Sequence, residues 1–363
     1  MRATRSPVLI VGPGAKSAGG VWSVISTMMA SDLANRYALE NIATHRDGSR
    51  WAKLGQAVMG IGQVAVRLAV KRPDVVWIHT SSNASARRKT VVMTLARLLR
   101  VPRVLHVHGS EFEVAYRAAT PVEQAMVRLL LRSADLIIAL TPTWEARLQA
   151  MTPCVTTTVM NPVDIPPAAD PAVRVPGRIV SLGRVGERKG SAVIVAALAE
   201  LIDRHPEAHV VLAGDGDHAP VLAAAQALGI AGRVEMRSWL DPAQVGELLD
   251  SAAIFTLPSR EEGLPVAMLE AMAHGLPSVV TPVGGIPDFV HDGVNGIMVQ
   301  PDDPAGLADA LATLLADPAA AARLGDAARA EVIARCATPN AVDQVDAAFR
   351  SVLGRRAGHP PRA

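Results

Sequence analysis

Twice along the chain, short apolar runs that read as β-strands alternate with stretches of helical periodicity, and this alternation limits the fold more than any other feature. The first set is "PVLIVG" (7–12), "DVVWIHT" (74–80), "RVLHVHG" (103–109), "ADLIIALT" (134–141) and "VTTTVMN" (155–161). The second restarts at "GRIVSLGR" (177–184) and continues through "HVVLAGDG" (209–216), "RVEMRS" (233–238), "AAIFTLPS" (252–259) and "PSVVTP" (277–282). Runs that are apolar throughout are buried on both faces, and the helical stretches between them serve as crossovers of parallel sheets. The segment 161–178, "NPVDIPPAADPAVRVPGR", holds five prolines and reads as a linker. The expected architecture is therefore α/β, with two Rossmann-like domains, 1–163 and 164–337, whose parallel sheets face a central cleft. A helix-like segment about 338–353 is expected to pack back on the first domain, and 354–363 reads as a disordered tail. With 363 residues there is chain enough for two cores, and with 3% aromatics those cores must be built from Val, Leu, Ile and Ala.

Charge divides the chain at the same place. Residues 1–165 carry 20 Lys and Arg against 10 Asp and Glu, whereas the remainder carries 16 against 24. A basic half joined to an acidic half suggests that the first faces something anionic. Few aromatics are present to stack bases, so nucleic acid is excluded as the partner and a membrane surface or an anionic lipid-linked substrate is preferred. The apolar stretch 54–70 is interrupted by two glutamines and Arg67, which denies it the roughly 20 apolar residues of a span. Cys154 and Cys336 form no disulfide framework, which points to a reducing, cytoplasmic setting.

Ligands of open parallel sheets bind beyond the carboxyl ends of the strands, so the loops there carry the chemistry. "VGPGAKSAGG" (11–20) begins as a dinucleotide fingerprint but has Ser17 at its third position; its Gly19-Gly20 pair, opening a helix, would let backbone approach a phosphate. "GRVGERKG" (183–190) sets Arg184 and Lys189 after a strand and Gly183, where guanidinium and ammonium groups suit a diphosphate; Arg188 reads as a solvated charge. Asp215-Gly-Asp217 has the form of a metal-binding D-x-D, but its glycines suit a tight turn and the two cations already neutralise a diphosphate. In "EEGLPVAMLEAMAHGLP" (261–277) a helix beginning near Pro265 would place Glu262 just before its N-terminus and Glu270 a short way in. Phosphate would sit at the helix start, at Gly263, Leu264 and Pro265, with one carboxylate gripping sugar hydroxyls and the other a ribose. Acidic preference near a helix start explains Glu261 but not Glu270.

The spacing E-G-L-P-V-A-M-L-E, followed by A-M-A-H-G-L-P, resembles the signature of glycosyltransferase family 4, retaining enzymes of the two-domain GT-B fold. Gly19-Gly20, "HVHG", "NPVD", "GR…KG", "AGDGD" and "VGGIPDFVHDGVNGIMV" appear in that family's order over most of the chain. The resemblance implies that Arg184 and Lys189 bind the donor diphosphate, Glu262 the transferred sugar and Glu270 the ribose. Gly19 and Gly20 would close on the donor, and Ser238 and Leu240 would lie near its base. His108 would contact the sugar at its anomeric centre, since His106 and His108 are read as straddling both faces of their strand with only His108 leading into the glycine turn. Glu111 and Glu113 would touch the acceptor. The function so implied is metal-independent hexosyl transfer from a UDP- or GDP-sugar to a lipid-linked or glycan acceptor of bacterial exopolysaccharide synthesis, with no other cofactor. Two alternatives are a nucleotide-sugar-binding protein without activity and a Rossmann-type oxidoreductase, the latter opposed by Ser17.

One segment bears on membrane contact at the inner face of the cell membrane. Residues 86–103 present Arg87, Arg88, Lys89, Arg97, Arg100 and Arg103 around an apolar stripe of Val92, Leu95 and Leu99. Taken alone the pattern favours an ordinary domain helix packing that stripe against the sheet, and the basic balance of the whole first half shifts the reading towards a helix lying on anionic lipid.

Overall fold

The computed structural model describes residues 5–17, 19–81, 84–109 and 112–356, with only the backbone of 84, 113, 114, 171 and 356. The chain divides into two compact units, residues 1–162 with 338–363, and residues 163–337. In the first, six strands, β1 (Ser6–Gly12), β2 (Tyr37–Ala43), β3 (Val75–Thr80), β4 (Arg103–Val107), β5 (Leu136–Ala139) and β6 (Thr156–Thr158), pair in the order β2-β1-β3-β4-β5-β6. In the second, β7 (Arg178–Leu182), β8 (His209–Ala213), β9 (Val234–Arg237), β10 (Ile254–Leu257), β11 (Ser278–Val280) and β12 (Ile297–Met298) pair in the order β12-β11-β10-β7-β8-β9. Every described pairing is parallel.

The sequence reading missed β2 and β12. Both are edge strands, and "YALENIA" is half-exposed along its middle, so it lacks the continuous apolar run that marks β3 or β8. Central strands are buried along their whole length, as β3 is at all six positions. In the first unit one face of the sheet packs Leu9, Val76, Ile78 and Leu105 against Val64, Leu68, Val92 and Met93 of flanking helices. The other packs Val8, Ile10 and Trp77 against Val342, Val345 and Phe349 of the helix Thr338–Arg356. That last helix is pinned by Asp346, 3% exposed, which accepts from the Tyr37 hydroxyl at 2.7 Å and from Arg36 Nη1 at 3.0 Å. It runs through Arg356, three residues into the stretch expected to be disordered; 357–363 lie outside the described residues.

The helix Ala84–Leu98 corrects the expectation of a lipid-facing surface at 86–103. Val92 is fully buried and Leu95 packs against the core. Lys89 is only 2% exposed, Arg87 pairs with Glu123, and Arg103 sits in β4 bonded to Asp135. Val92 and Leu95 lie on the helix's packing face, which a helix docked on a sheet cannot also offer to lipid, whereas Leu99, the third member of the stripe, falls past the helix end and is 37% exposed. Exposed apolar side chains gather instead on the helix Arg50–Val70, at Trp51, Leu54, Val58, Met59, Val66 and Val70, opposite the buried Ala57, Val64 and Leu68. Among the described residues no single helix is long and apolar enough to cross a membrane.

Candidate functional site

In the second unit the strand order reverses between β7 and β10, so the loops that follow these strands part and leave a crevice at the carboxyl edge of the sheet. From β7 the chain passes Gly183 and Arg184 into a 3-10 turn, Glu187–Lys189, before the helix Ser191–Leu201. From β10 it passes Ser259 and Glu262 before the helix Val266–Ala273. Across the crevice Lys189 Nζ donates to Glu262 Oε1 at 2.6 Å, and the Ser259 hydroxyl donates to the same oxygen at 2.7 Å. Glu262 is 6% exposed, and a cation and a hydroxyl take the place of the water its carboxyl group lost on burial. Gly284 fixes the carboxylate's backbone: its φ is 60°, and a Cβ there would stand 1.5 Å from the Glu262 carbonyl oxygen.

The two arginines of this loop take different places. Arg188, read as a solvated charge, donates to the Glu261 carbonyl at 3.2 Å and lies 4.0 Å from Glu262 Oε2. Arg184 stands apart from the Lys189–Glu262 pair; its side chain is 68% exposed and its described ionic partner is Asp215, at 3.8 Å. Asp217 accepts from the Ala219 amide at 3.1 Å and so holds the turn leading into the helix Ala219–Ala227.

Gly263, Leu264 and Pro265 are buried at the approach to the helix Val266–Ala273. Pro265 is the residue before that helix, with φ −72° and ψ 118°, not its first turn as expected, so Glu262 lies one residue further from the helix than the sequence suggested. Glu270 lies a turn in, half-buried, and burial followed by the neighbouring Asp164 pushes its carboxyl up to about 7. Beyond β9, Ser238 is exposed and Leu240 half-buried.

The first unit has its own reversal, between β1 and β3. Gly19 caps the helix Gly20–Ala30 with φ 129°, a conformation open to glycine, and a Cβ there would meet nothing within 4 Å. His108 follows β4, its amide donating to the Thr80 carbonyl at 2.8 Å. The expectation that His106 and His108 straddle the sheet is overturned: residues two apart on a strand share a face, and their rings lie 4.0 Å apart. Sequence reading also missed His79, which β3–β4 register sets opposite His106 and whose Nδ1 lies 2.8 Å from His108 Nε2. The alternation of "VVWIHT" against "RVLHVHG" carried that signal. Burial pushes His108 down to about 3 and His79 and His106 well below their ordinary range, so all three are neutral at physiological pH. Their ligand nitrogens lie within 4.8 Å of one another, the described residues' available donor set for a cation. The His79 and His108 rings, however, are stacked at 15°, and their close nitrogens share a proton as a hydrogen bond. Glu111 and the side chain of Glu113 lie outside the described residues.

Comparison with known proteins matches both units. Residues 176–317 fit the model described as glycosyl transferases group 1, and residues 34–163 fit a glycosyl transferase 4-like domain. A glycogen synthase of Mycobacterium tuberculosis is 30% identical over 293 residues, covering 76% of this chain and 69% of that protein. An alpha-D-kanosaminyltransferase of Streptomyces kanamyceticus is 26% identical, covering 79% of this chain and 80% of that protein. Among solved structures, Anabaena HepE in complex with UDP-glucose superposes with a TM-score of 0.79 at 19% identity, covering 96% of this chain and all of that one. The sucrose-phosphate synthase of Thermosynechococcus elongatus gives 0.77 at 19% identity, over 97% of this chain and 100% of that one. At these identities the structures speak to fold, the two-domain α/β fold called GT-B.

Proposed function

The chain belongs to the group 1 glycosyltransferases, and from that premise we propose that it moves a hexose, with retention and without a metal ion, from a UDP- or GDP-sugar to a lipid-linked or glycan acceptor of cell-surface polysaccharide synthesis. The observation that carries the donor half of this reading is the Lys189–Glu262 pair at the switch point of the second sheet, 2.6 Å apart beside a helix N-terminus. A donor diphosphate entering there would find Lys189 and, from its exposed position, Arg184 as counter-charges for the departing nucleotide. Glu262, released from Lys189, would accept from hydroxyls of the transferred sugar, and Glu270 from those of the ribose. Gly19 and Gly20 would bring backbone amides to the donor. Neutral His108 would offer a hydrogen bond near the anomeric carbon, its ring oriented by His79. Ser238 and Leu240 would border the base.

The lipid-linked acceptor and an inner-membrane location belong to the same proposal. Support comes from the helix Arg50–Val70, where Trp51 is 75% and Val70 76% exposed beside Arg50 and Lys53, with Lys71 and Arg72 just past its end. An apolar face flanked by cations suits an anionic leaflet, each basic residue contributing about 1 kcal/mol near such a surface. The test is a transfer assay with a panel of UDP- and GDP-sugars, with and without EDTA, and with the products' anomeric configuration read by NMR. Retained configuration and full turnover in EDTA are expected. Inversion, or turnover that needs Mn²⁺ and fails in Asp215→Ala, would overturn the corresponding part.

A further inference from the structure

At the switch point of the first sheet a cavity of about 440 Å³ opens where β1 and β3 diverge, and its wall is cationic. Lys53, Arg88 and Lys89 line it beside His45, which burial and then Arg88 hold below its ordinary range, and no carboxylate does so among the described residues. Lys89 is the unusual member. It is 2% exposed, and its Nζ donates to the Thr44 hydroxyl at 2.5 Å, a neutral partner. Among the described residues neither Lys89 nor Arg88 forms a salt bridge, although taking an ammonium out of water without a counter-charge costs several kcal/mol.

Three more polar atoms of the same wall are buried without a partner: Arg88 Nε, His45 Nδ1 and His79 Nε2. Buried polar atoms are nearly always satisfied, and a cluster of orphans around one cavity marks where a ligand supplies the bonds. Burial and then the adjacent guanidinium of Arg88 push Lys89 well below its ordinary range. An anion between the two would reverse both effects. The helix Gly20–Ala30, whose first turn holds no acid, adds its positive end to the same wall through Gly19 and Gly20. A phosphate fills only part of such a volume, and Thr80, Ser81 and Ser85 leave hydroxyls for a polar body attached to it.

We propose that this cavity binds the phosphate of a phosphorylated acceptor, held by Lys89, Arg88 and Lys53. The inference rests on the reading that the first unit carries the acceptor, and it adds which cavity and which side chains hold that acceptor's anionic group. The phosphate could belong to a soluble sugar phosphate or to a lipid diphosphate.

The experiment is calorimetric titration of the full chain with inorganic phosphate, in wild type and in Arg88→Ala, Lys53→Ala and Lys89→Met, with UDP titrated in parallel. Phosphate should bind to wild type and weaken about 10-fold in Arg88→Ala and Lys89→Met and less in exposed Lys53→Ala, while UDP binds all four alike. Glucose 6-phosphate and micellar farnesyl diphosphate then separate the sources: whichever binds more tightly than inorganic phosphate is the acceptor type. Phosphate affinity untouched by all three substitutions would overturn the proposal, as would phosphate that UDP displaces mole for mole, since that ion would occupy the donor site. Absence of UDP binding beside intact, substitution-sensitive phosphate binding would count against the donor reading of the second unit and not against this one.

Discussion

In residues 163–337 the loops leaving the switch point bring a cation and an anion together, Lys189 against Glu262 at 2.6 Å. In the first unit the equivalent crevice gathers cations around a lysine that is 2% exposed, with no carboxylate among the described residues that line it; Asp47 stands outside that lining, 3.7 Å from His45. The two sheets follow the same topological rule, yet one crevice holds its charge internally compensated and the other holds it open. A compensated site stays stable when empty and must exchange its internal pair for ligand contacts. An uncompensated site is strained when empty and gains stability from an anion, because a ligand that binds only the folded state stabilises it by mass action.

Breaking the pair should have the largest effect. Lys189→Ala leaves the buried Glu262 with only the Ser259 hydroxyl and Arg188 at 4.0 Å, and breaking comparable buried pairs costs about 3–5 kcal/mol of stability. It also removes a counter-charge from the leaving diphosphate, worth about 10²–10³ in kcat/KM. The double variant Lys189→Met with Glu262→Gln separates these effects: it should recover most of the melting temperature and none of the turnover. Full activity in Lys189→Ala would mean that the pair is structural and the diphosphate is held elsewhere.

Removing the open charge should have the opposite sign on stability. Lys89→Met keeps the volume of the side chain and deletes a buried ammonium whose described partner is a hydroxyl, so the melting temperature in phosphate-free buffer should rise by roughly 2–4 °C, about 1 kcal/mol. Millimolar phosphate should raise the melting temperature of wild type and leave the variant unmoved. A lower melting temperature for Lys89→Met would show that Thr44 compensates the ammonium fully, and the contrast between the two crevices would disappear.

How much of this could be read from sequence differs between the units for a physical reason. Lys189, Glu262 and Glu270 were legible because the glycines and proline around them fix local backbone, and local backbone is what a short motif encodes. The pair between Lys189 and Glu262 was not, since it depends on β7 and β10 being neighbours, a fact of topology. In the first unit Lys89 was read as one of six basic residues flanking an apolar stripe. Its helix was anticipated, but its rotation was not: Val92 and Lys89, three apart, share the inward face, and the more extensive exposed apolar face lies on the preceding helix. His79 shows the same limit, its place beside His108 being set by a cross-strand register.

The smallest effect expected is a proton. Glu270 lies in the helix that follows Glu262 and forms no salt bridge among the described residues; burial first and Asp164 second raise its carboxyl to about 7 from an ordinary value near 4.5. Because the folded value is the higher one, the stabilisation from protonated Glu270 is complete below about pH 4.5 and is lost as pH rises through 7. Between those limits wild type should therefore gain on Glu270→Gln as the solution is acidified, by on the order of 1 kcal/mol once solvent at this half-buried group is allowed for. Nucleotide binding should run the other way. Ribose hydroxyls donate to the ionised carboxylate, so UDP favours the deprotonated form, lowers its pKa and releases a fraction of a proton near pH 7. Calorimetry in two buffers of different ionisation enthalpy measures that release directly. UDP affinity should climb as pH rises from 6 to 8 in wild type and stay flat in Glu270→Gln. The histidines of the first unit do not interfere, His108 being held at about 3 and His79 and His106 also far below this range. Equal proton release in wild type and variant would remove Glu270 from the ribose and leave Lys189 and Glu262 to hold the donor without it.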